Sequence, residues 1–108
     1  MENPTVNAAC GQIVGRVKED SLLFAGIPYA QAPVNNLRFK PPQPMAEFVE
    51  PFQALKFSPA APQTAGGGLT DSQSVRWSED CLYLNVAAPL EAMNPQDAKD
   101  RAVFVWIH

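Results

Sequence analysis

The sequence predicts a fold of the α/β class in which this stretch of chain supplies mainly strands. Residues 102–108 form a continuous apolar run, which is typical of a strand at the centre of a sheet that is covered on both faces. Residues 11–18 and 21–26 flank a polar Glu19-Asp20 turn and predict a β-hairpin. Prolines crowd residues 27–51, which predicts an extended, irregular segment because proline fixes φ and lacks an N–H.

Three further elements follow from local patterns. Residues 53–58 predict a third short strand, and residues 82–87 predict a strand that ends at Pro89. Between them, residues 65–74 are rich in glycine, serine and threonine and predict a flexible loop rather than an anion-binding turn, because no helix follows. The polar stretch 90–101 has room for a helical turn.

Composition excludes several classes of function. The 108-residue chain carries a net charge of −3 and no run of Lys or Arg, so we expect no nucleic-acid partner. No apolar run approaches the roughly 18 residues that span a bilayer, so we expect no membrane partner. A single histidine and two distant cysteines provide no cluster of metal ligands, and we expect no metal cofactor.

The apolar run 102–108 also predicts that the chain is incomplete by itself. Residues 103–107 need neighbours on two strand edges and two sheet faces. A hairpin and a proline-rich segment cannot supply both covering layers. Left uncovered, the run would be an aggregation-prone edge.

Four blocks of sequence resemble the type-B carboxylesterase family, which includes para-nitrobenzyl esterases and cholinesterases. They are residues 24–33 (FAGIPYAQAP), 37–42 (LRFKPP), 78–89 (SEDCLYLNVAAP) and 103–108 (VFVWIH). The third block is similar to the family's second signature pattern over its full length. In the family, the fourth block continues directly into the glycines of the oxyanion hole.

The resemblance implies that residues 1–108 are the N-terminal segment of one α/β-hydrolase domain. This segment would contain a small antiparallel N-terminal β-sheet, a proline-rich wrap and the first strands of the large central sheet. Relatives hydrolyse carboxylic esters through a Ser-His-acid triad and an acyl-enzyme intermediate, with the serine on a Gly-x-Ser-x-Gly elbow. This chain has no such elbow. We therefore expect an esterase of small-molecule esters, without metal or organic cofactor, whose catalytic groups come from the remainder of the protein, as a continuation or as a separate chain.

The resemblance also assigns roles to individual residues. His108 would support the oxyanion loop rather than act as the triad base. Arg38 and Glu79 would form a buried structural ion pair that ties the proline-rich wrap to the second-signature strand; two solvated surface charges are the alternative. Trp77 occupies a variable position, where packing or a place at the mouth of the active-site gorge is favoured over binding a quaternary ammonium group.

Cys81 departs from the pattern of secreted relatives, in which it forms a disulfide with an upstream cysteine. The corresponding context here is Ala61-Pro62-Gln63, so the partner is missing and we expect a free, buried thiol. Cys10 precedes the first predicted strand and is a poor substitute. A free thiol favours a reducing compartment, and we expect a bacterial cytoplasmic location.

Two other functions remain open from the sequence. The chain could belong to a non-catalytic relative that keeps the fold and binds partners in adhesion or storage. The absence of the elbow serine, whose position lies outside these residues, would distinguish such a relative from an esterase. It could also be a small β-module that binds a partner through the edge of residues 102–108. Autonomous, cooperative folding of a monomeric 108-residue chain would favour that last hypothesis.

Overall fold

The computed structural model describes residues 2–63, 76–97 and 99–107, which form two small sheets. The strands are β1 (Thr5–Ala8), β2 (Gly11–Val14), β3 (Arg16–Lys18), β4 (Ser21–Pro28), β5 (Phe52–Gln53) and β6 (Tyr83–Pro89). One sheet has the order β1-β2-β5, in which β1 and β2 are antiparallel and β5 lies parallel to β2. The other has the order β3-β4-β6 and is antiparallel throughout.

The predicted hairpin is confirmed in its second half only. β3 and β4 pair across the Glu19-Asp20 turn, but the strand predicted over residues 11–18 is divided at Gly15 into strands of different sheets. A Cβ at Gly15 would lie 2.6 Å from Cδ1 of Phe24, so the chain can approach β4 this closely only because Gly15 has no side chain. The Gly15 amide donates to the carbonyl of Pro4 instead of continuing the ladder.

The core lies along β4, whose six residues 22–27 are all buried. Leu22, Phe24 and Ile27 of this strand pack with Ile13 of β2 and with Ala54. These side chains come from both sheets, and burying each large one contributes about 1.5–3 kcal/mol. β4 is therefore the element on which both sheets depend.

The proline-rich stretch 27–51 is irregular after β4, as predicted. Its one regular element among the described residues is a short 3₁₀ helix, Asn35–Leu37. The strand predicted over residues 53–58 is shorter than expected: β5 ends at Gln53, and only an isolated bridge between Leu55 and Ala25 follows.

The later elements agree in kind with the prediction and differ in extent. β6 begins at Tyr83, one residue after the start of the strand predicted over residues 82–87, and continues to Pro89. The polar stretch 90–101 contains two short 3₁₀ helices, Leu90–Met93 and Pro95–Asp97, in place of the single predicted turn.

The central strand predicted over residues 102–108 is not formed at residues 102–107. No described segment pairs with them, and their side chains face solvent, with Val103 and Phe104 each 83% exposed and Ile107 89% exposed. A strand needs a neighbouring strand to bind its amide and carbonyl groups. The apolar composition correctly indicates a need for burial, but no described part of the chain meets it.

Candidate functional site

The second-signature segment 78–89 is organised by short-range hydrogen bonds before it enters β6. The Ser78 Oγ accepts from the amide of Asp80 at 3.1 Å, and the Tyr83 hydroxyl donates to Asp80 Oδ1 at 2.8 Å. The Asp80 carboxylate thus anchors a tyrosine at the first residue of β6. This network fixes how the chain turns into the strand.

The structure brings Arg38 and Glu79 together, 41 positions apart in sequence. Arg38 Nε donates to Glu79 Oε1, and the Arg38 guanidinium also lies 5.0 Å from the ring centroid of Phe39. Their side chains are 54% and 48% exposed, so the burial expected from the sequence is wrong for the described structure. Both charged groups are therefore open to water in the described structure.

The environment of this segment disfavours ionisation of two nearby groups. Burial raises the pKa of the half-buried Cys81 thiol, and the negative charges of Asp80 and Glu79 raise it further. Burial also raises the pKa of Tyr83, together with its hydrogen bond to Asp80 and the charges of Asp80 and Cys81. Cys81 and Cys10 are both free thiols, and neither is fully buried.

A bulge between Phe24 and Ile27 interrupts the pairing of β4 with β6. At this bulge the amide of Gly26 donates to Asn85 Oδ1 at 2.8 Å, so a side chain of β6 replaces the missing backbone acceptor. Gly26 has a φ of 71°, and a Cβ there would lie 2.5 Å from the carbonyl oxygen of Lys56. The sequence alone did not predict this contact, although Gly26 lies in the block 24–33 and Asn85 in the block 78–89.

Trp77 is 38% exposed and lies at a parallel bridge with Ala60. The amide of Ala60 donates to the Arg76 carbonyl, and the amide of Ser78 donates to the Ala60 carbonyl. Backbone hydrogen bonds therefore join the chain on either side of residues 61–76.

A cleft of about 650 Å³ lies beside this bridge. It is bounded by the end of β4, by β5 with the residues that follow it, and by Arg76, Asp80 and Tyr83. Its walls carry apolar side chains such as Met45, Leu55 and Phe57. Trp77 is not among the residues that line it.

The described residues do not assemble a hydrolytic centre. The chain's single histidine is His108, which lies outside the described residues together with the glycine-rich loop predicted over 65–74. The described residues therefore include no histidine that could act as a base toward a serine. Within residues 2–63, 76–97 and 99–107, no three His, Cys, Asp or Glu side chains are placed to hold a metal ion, and no helix is long and apolar enough to cross a bilayer.

Comparison of the sequence with known proteins gives relatives over nearly the whole chain. It is 36% identical to a carboxylic ester hydrolase of Bombus ignitus over 97% of the chain and 20% of the relative. It is 34% identical to the para-nitrobenzyl esterase of Bacillus subtilis (strain 168) over 100% of the chain and 21% of the relative. The chain thus spans about a fifth of the length of these relatives.

Comparison of the structure agrees with that of the sequence. A solved PNB esterase superposes with a TM-score of 0.68 at 34% identity, over 82% of this chain and 17% of its own. A second structure of a PNB esterase gives a TM-score of 0.70 at 33% identity. The fold is that of the corresponding part of an α/β-hydrolase, as the sequence predicted. The model of the carboxylesterase family matches residues 2–108, and the chain belongs to that family.

Proposed function

We propose that the protein containing this chain is a carboxylic ester hydrolase that acts through a Ser-His-acid triad and an acyl-enzyme intermediate. The observation that carries the proposal is the match of the carboxylesterase family to residues 2–108. In this mechanism the serine attacks the ester carbonyl, the histidine transfers the proton, and backbone N–H groups stabilise the oxyanion. All these groups would come from the remainder of the protein.

We also propose that residues 1–108 are the N-terminal segment of a single α/β-hydrolase domain. The coverage of about a fifth of each relative supports this, because the rest of the domain has no counterpart in these residues. The exposed apolar run 103–107 supports it independently, since such a run requires covering layers. The partner of this segment would then be the remainder of the same protein.

Within that domain the residues of this segment would hold other parts of the structure in position rather than take part in catalysis. His108 would brace the oxyanion loop, and the Arg38–Glu79 ion pair would tie the proline-rich wrap to the start of β6. The ion pair between these two side chains supports the second role. Trp77 would lie at the mouth of the gorge, and its partial exposure beside residues 61–76 is consistent with that place.

The substrates would be small or medium carboxylic esters, including aryl esters, and no cofactor would be required. The 34% identity to a para-nitrobenzyl esterase supports esters that carry an aromatic ring on the alcohol side. A cytoplasmic location is supported by the two free thiols, because cysteines in oxidising compartments are commonly paired.

Hydrolysis of para-nitrophenyl butyrate by the full-length protein tests the proposed function. We expect release of para-nitrophenol that is abolished by a serine-directed fluorophosphonate, and covalent labelling at the serine of a Gly-x-Ser-x-Gly elbow. A polypeptide of residues 1–108 alone should be inactive, which provides the control. A well-folded full-length protein without hydrolysis or labelling would contradict the proposal and favour a non-catalytic binding protein.

A further inference from the structure

The fold gathers positive charge that is dispersed in the sequence. Four of the chain's eight Lys and Arg residues lie in or against the segment 55–57, which lines the cleft. We refer to these residues as the basic cluster: Arg16, Lys18, Lys56 and Arg76. The sequence shows no basic patch because these four residues are spread over 60 positions, from Arg16 to Arg76.

Specific contacts hold the cluster in place. Arg16 Nε donates to the Leu55 carbonyl at 3.0 Å, and Arg76 Nη2 donates to the Phe57 carbonyl at 3.0 Å. Lys18 Nζ lies 6.0 Å from the ring centroid of Phe57. Each arginine uses one N–H on the backbone and keeps other donors for a ligand, since a guanidinium carries five.

This charge is not neutralised by ion pairs among the described residues. The one ion pair between described side chains joins Arg38 to Glu79 and involves no member of the basic cluster. Asp80 also lines the cleft and keeps its negative charge, because the Tyr83 hydroxyl that donates to its Oδ1 is neutral; the lining thus carries the positive charges of Lys56 and Arg76 against this negative charge. A net positive region therefore lies on a chain whose net charge is −3.

The cleft beside the cluster has apolar walls. Met45, Leu55 and Phe57 contribute to them, and Phe57 remains 50% exposed. A volume of about 650 Å³ is within the range of small-molecule sites, roughly 300–1,000 Å³. Lys56 and Arg76 belong to the lining and place positive charge next to these apolar side chains.

We propose that the cleft and the basic cluster bind a small amphiphilic anion, a carboxylate with a short apolar chain. The carboxylate would accept hydrogen bonds from Lys56 and Arg76, and its apolar chain would pack against Met45 and Phe57. Arginine and carboxylate match in both charge and planar geometry. A carboxylate is also a product of ester hydrolysis, but the inference rests on the cleft and does not require that reaction.

Calorimetric titration of the full-length protein with octanoate tests this site. The protein is first treated with a serine-directed fluorophosphonate, so that an esterase centre, if present, is blocked. We expect saturable binding that weakens about 1.5-fold to fivefold in Lys56→Gln and in Arg76→Gln, the range for an exposed charge pair. Lys99→Gln, which removes an exposed charge outside the cleft, should bind as the parent does.

Two further comparisons distinguish the loss of charge from a loss of folding, and the contribution of the charge to binding from that of the apolar wall. Arg76→Lys keeps the charge and should retain more affinity than Arg76→Gln, with thermal melting showing that both variants fold. Octan-1-ol, which has the same apolar chain without the charge, should bind more weakly than octanoate. Unchanged octanoate affinity in folded Lys56→Gln and Arg76→Gln would overturn the proposal, as would equal binding of octan-1-ol or of inorganic phosphate.

Discussion

The exposure of Arg38 and Glu79 sets how much their ion pair contributes to stability. Removing one partner of a buried ion pair lowers the free energy of unfolding by about 3–5 kcal/mol. An exposed pair contributes only about 0.2–1 kcal/mol. Both side chains here are about half exposed, so water screens the attraction. The smaller range applies to the structure described.

A double-mutant cycle of Arg38→Ala and Glu79→Ala in the full-length protein measures this term directly. We expect a coupling free energy of about 0.2–1 kcal/mol in chemical denaturation. The pair Arg101→Ala and Glu79→Ala provides a control without an ion pair and should show no coupling. A coupling free energy of several kcal/mol would show that the rest of the protein buries the pair.

The raised pKa of Cys81 has a consequence for both reactivity and stability. A thiol whose pKa is raised in the folded state retains its proton to higher pH than it does in the unfolded chain. Its contribution to stability is fully present below the unfolded-state pKa and is lost as the pH rises through the folded-state pKa. The free energy of unfolding should therefore decrease on the alkaline side of the ordinary thiol pKa.

Alkylation by iodoacetamide reports the same pKa, because the thiolate is the nucleophile. We expect the rate at Cys81, followed by mass spectrometry of its peptide, to reach its midpoint above the ordinary thiol range. Asp80→Asn removes one of the causes and should move the midpoint to lower pH. Asp20→Asn, in the exposed turn between β3 and β4, should leave it unchanged. A midpoint that Asp80→Asn does not move would contradict the assigned electrostatic cause.

At the scale of elements, the β4 bulge depends on the side chain of Asn85. Its Oδ1 satisfies the Gly26 amide in a partly buried position. Leaving a buried donor without a partner costs about 1–3 kcal/mol. Gly26 has a positive φ, and an added Cβ would clash with the Lys56 carbonyl oxygen, so no other residue fits at the bulge without strain.

Asn85→Ala should therefore lower the free energy of unfolding of the full-length protein by about 1–3 kcal/mol. Asn85→Asp keeps an acceptor oxygen and should lose less. Asn36→Ala, which truncates an exposed asparagine in the first 3₁₀ helix, is the matched control and should have little effect. Equal losses in Asn85→Ala and Asn85→Asp would show that the acceptor is not what stabilises the bulge.

Local patterns predicted the elements that depend on local chemistry. Turn residues fixed the β3–β4 hairpin, and proline fixed the irregular stretch after β4. The division at Gly15 could not be predicted, because it depends on Phe24 lying against that glycine. The basic cluster and the Asn85–Gly26 bond also join residues that are distant in sequence, and only the tertiary fold brings them together.

At the scale of the whole molecule, the exposed run 103–107 dominates the expected behaviour of this segment in isolation. Five consecutive large apolar side chains are between 65% and 89% exposed. Contiguous apolar surface of this kind drives association of chains or of segments. A polypeptide of residues 1–108 should therefore self-associate.

Sedimentation velocity of that polypeptide tests the expectation. Val105→Lys introduces a charge in the middle of the run and should shift the distribution toward monomer. Val49→Lys changes an isolated valine that is 100% exposed, and it should have a smaller effect. A parent polypeptide that remains monomeric at high concentration would contradict the assigned role of residues 103–107.

The hydrogen bonds of Ala54 and Ala25 make the two sheets one cooperative unit. The Ala54 amide donates to the Val14 carbonyl of β2, and the Ala25 amide of β4 donates to the Ala54 carbonyl. Ala54 is fully buried at this junction. If the two sheets open together, the amides of residues 25 and 54 should show the same free energy of opening in hydrogen exchange, that of both sheets at once.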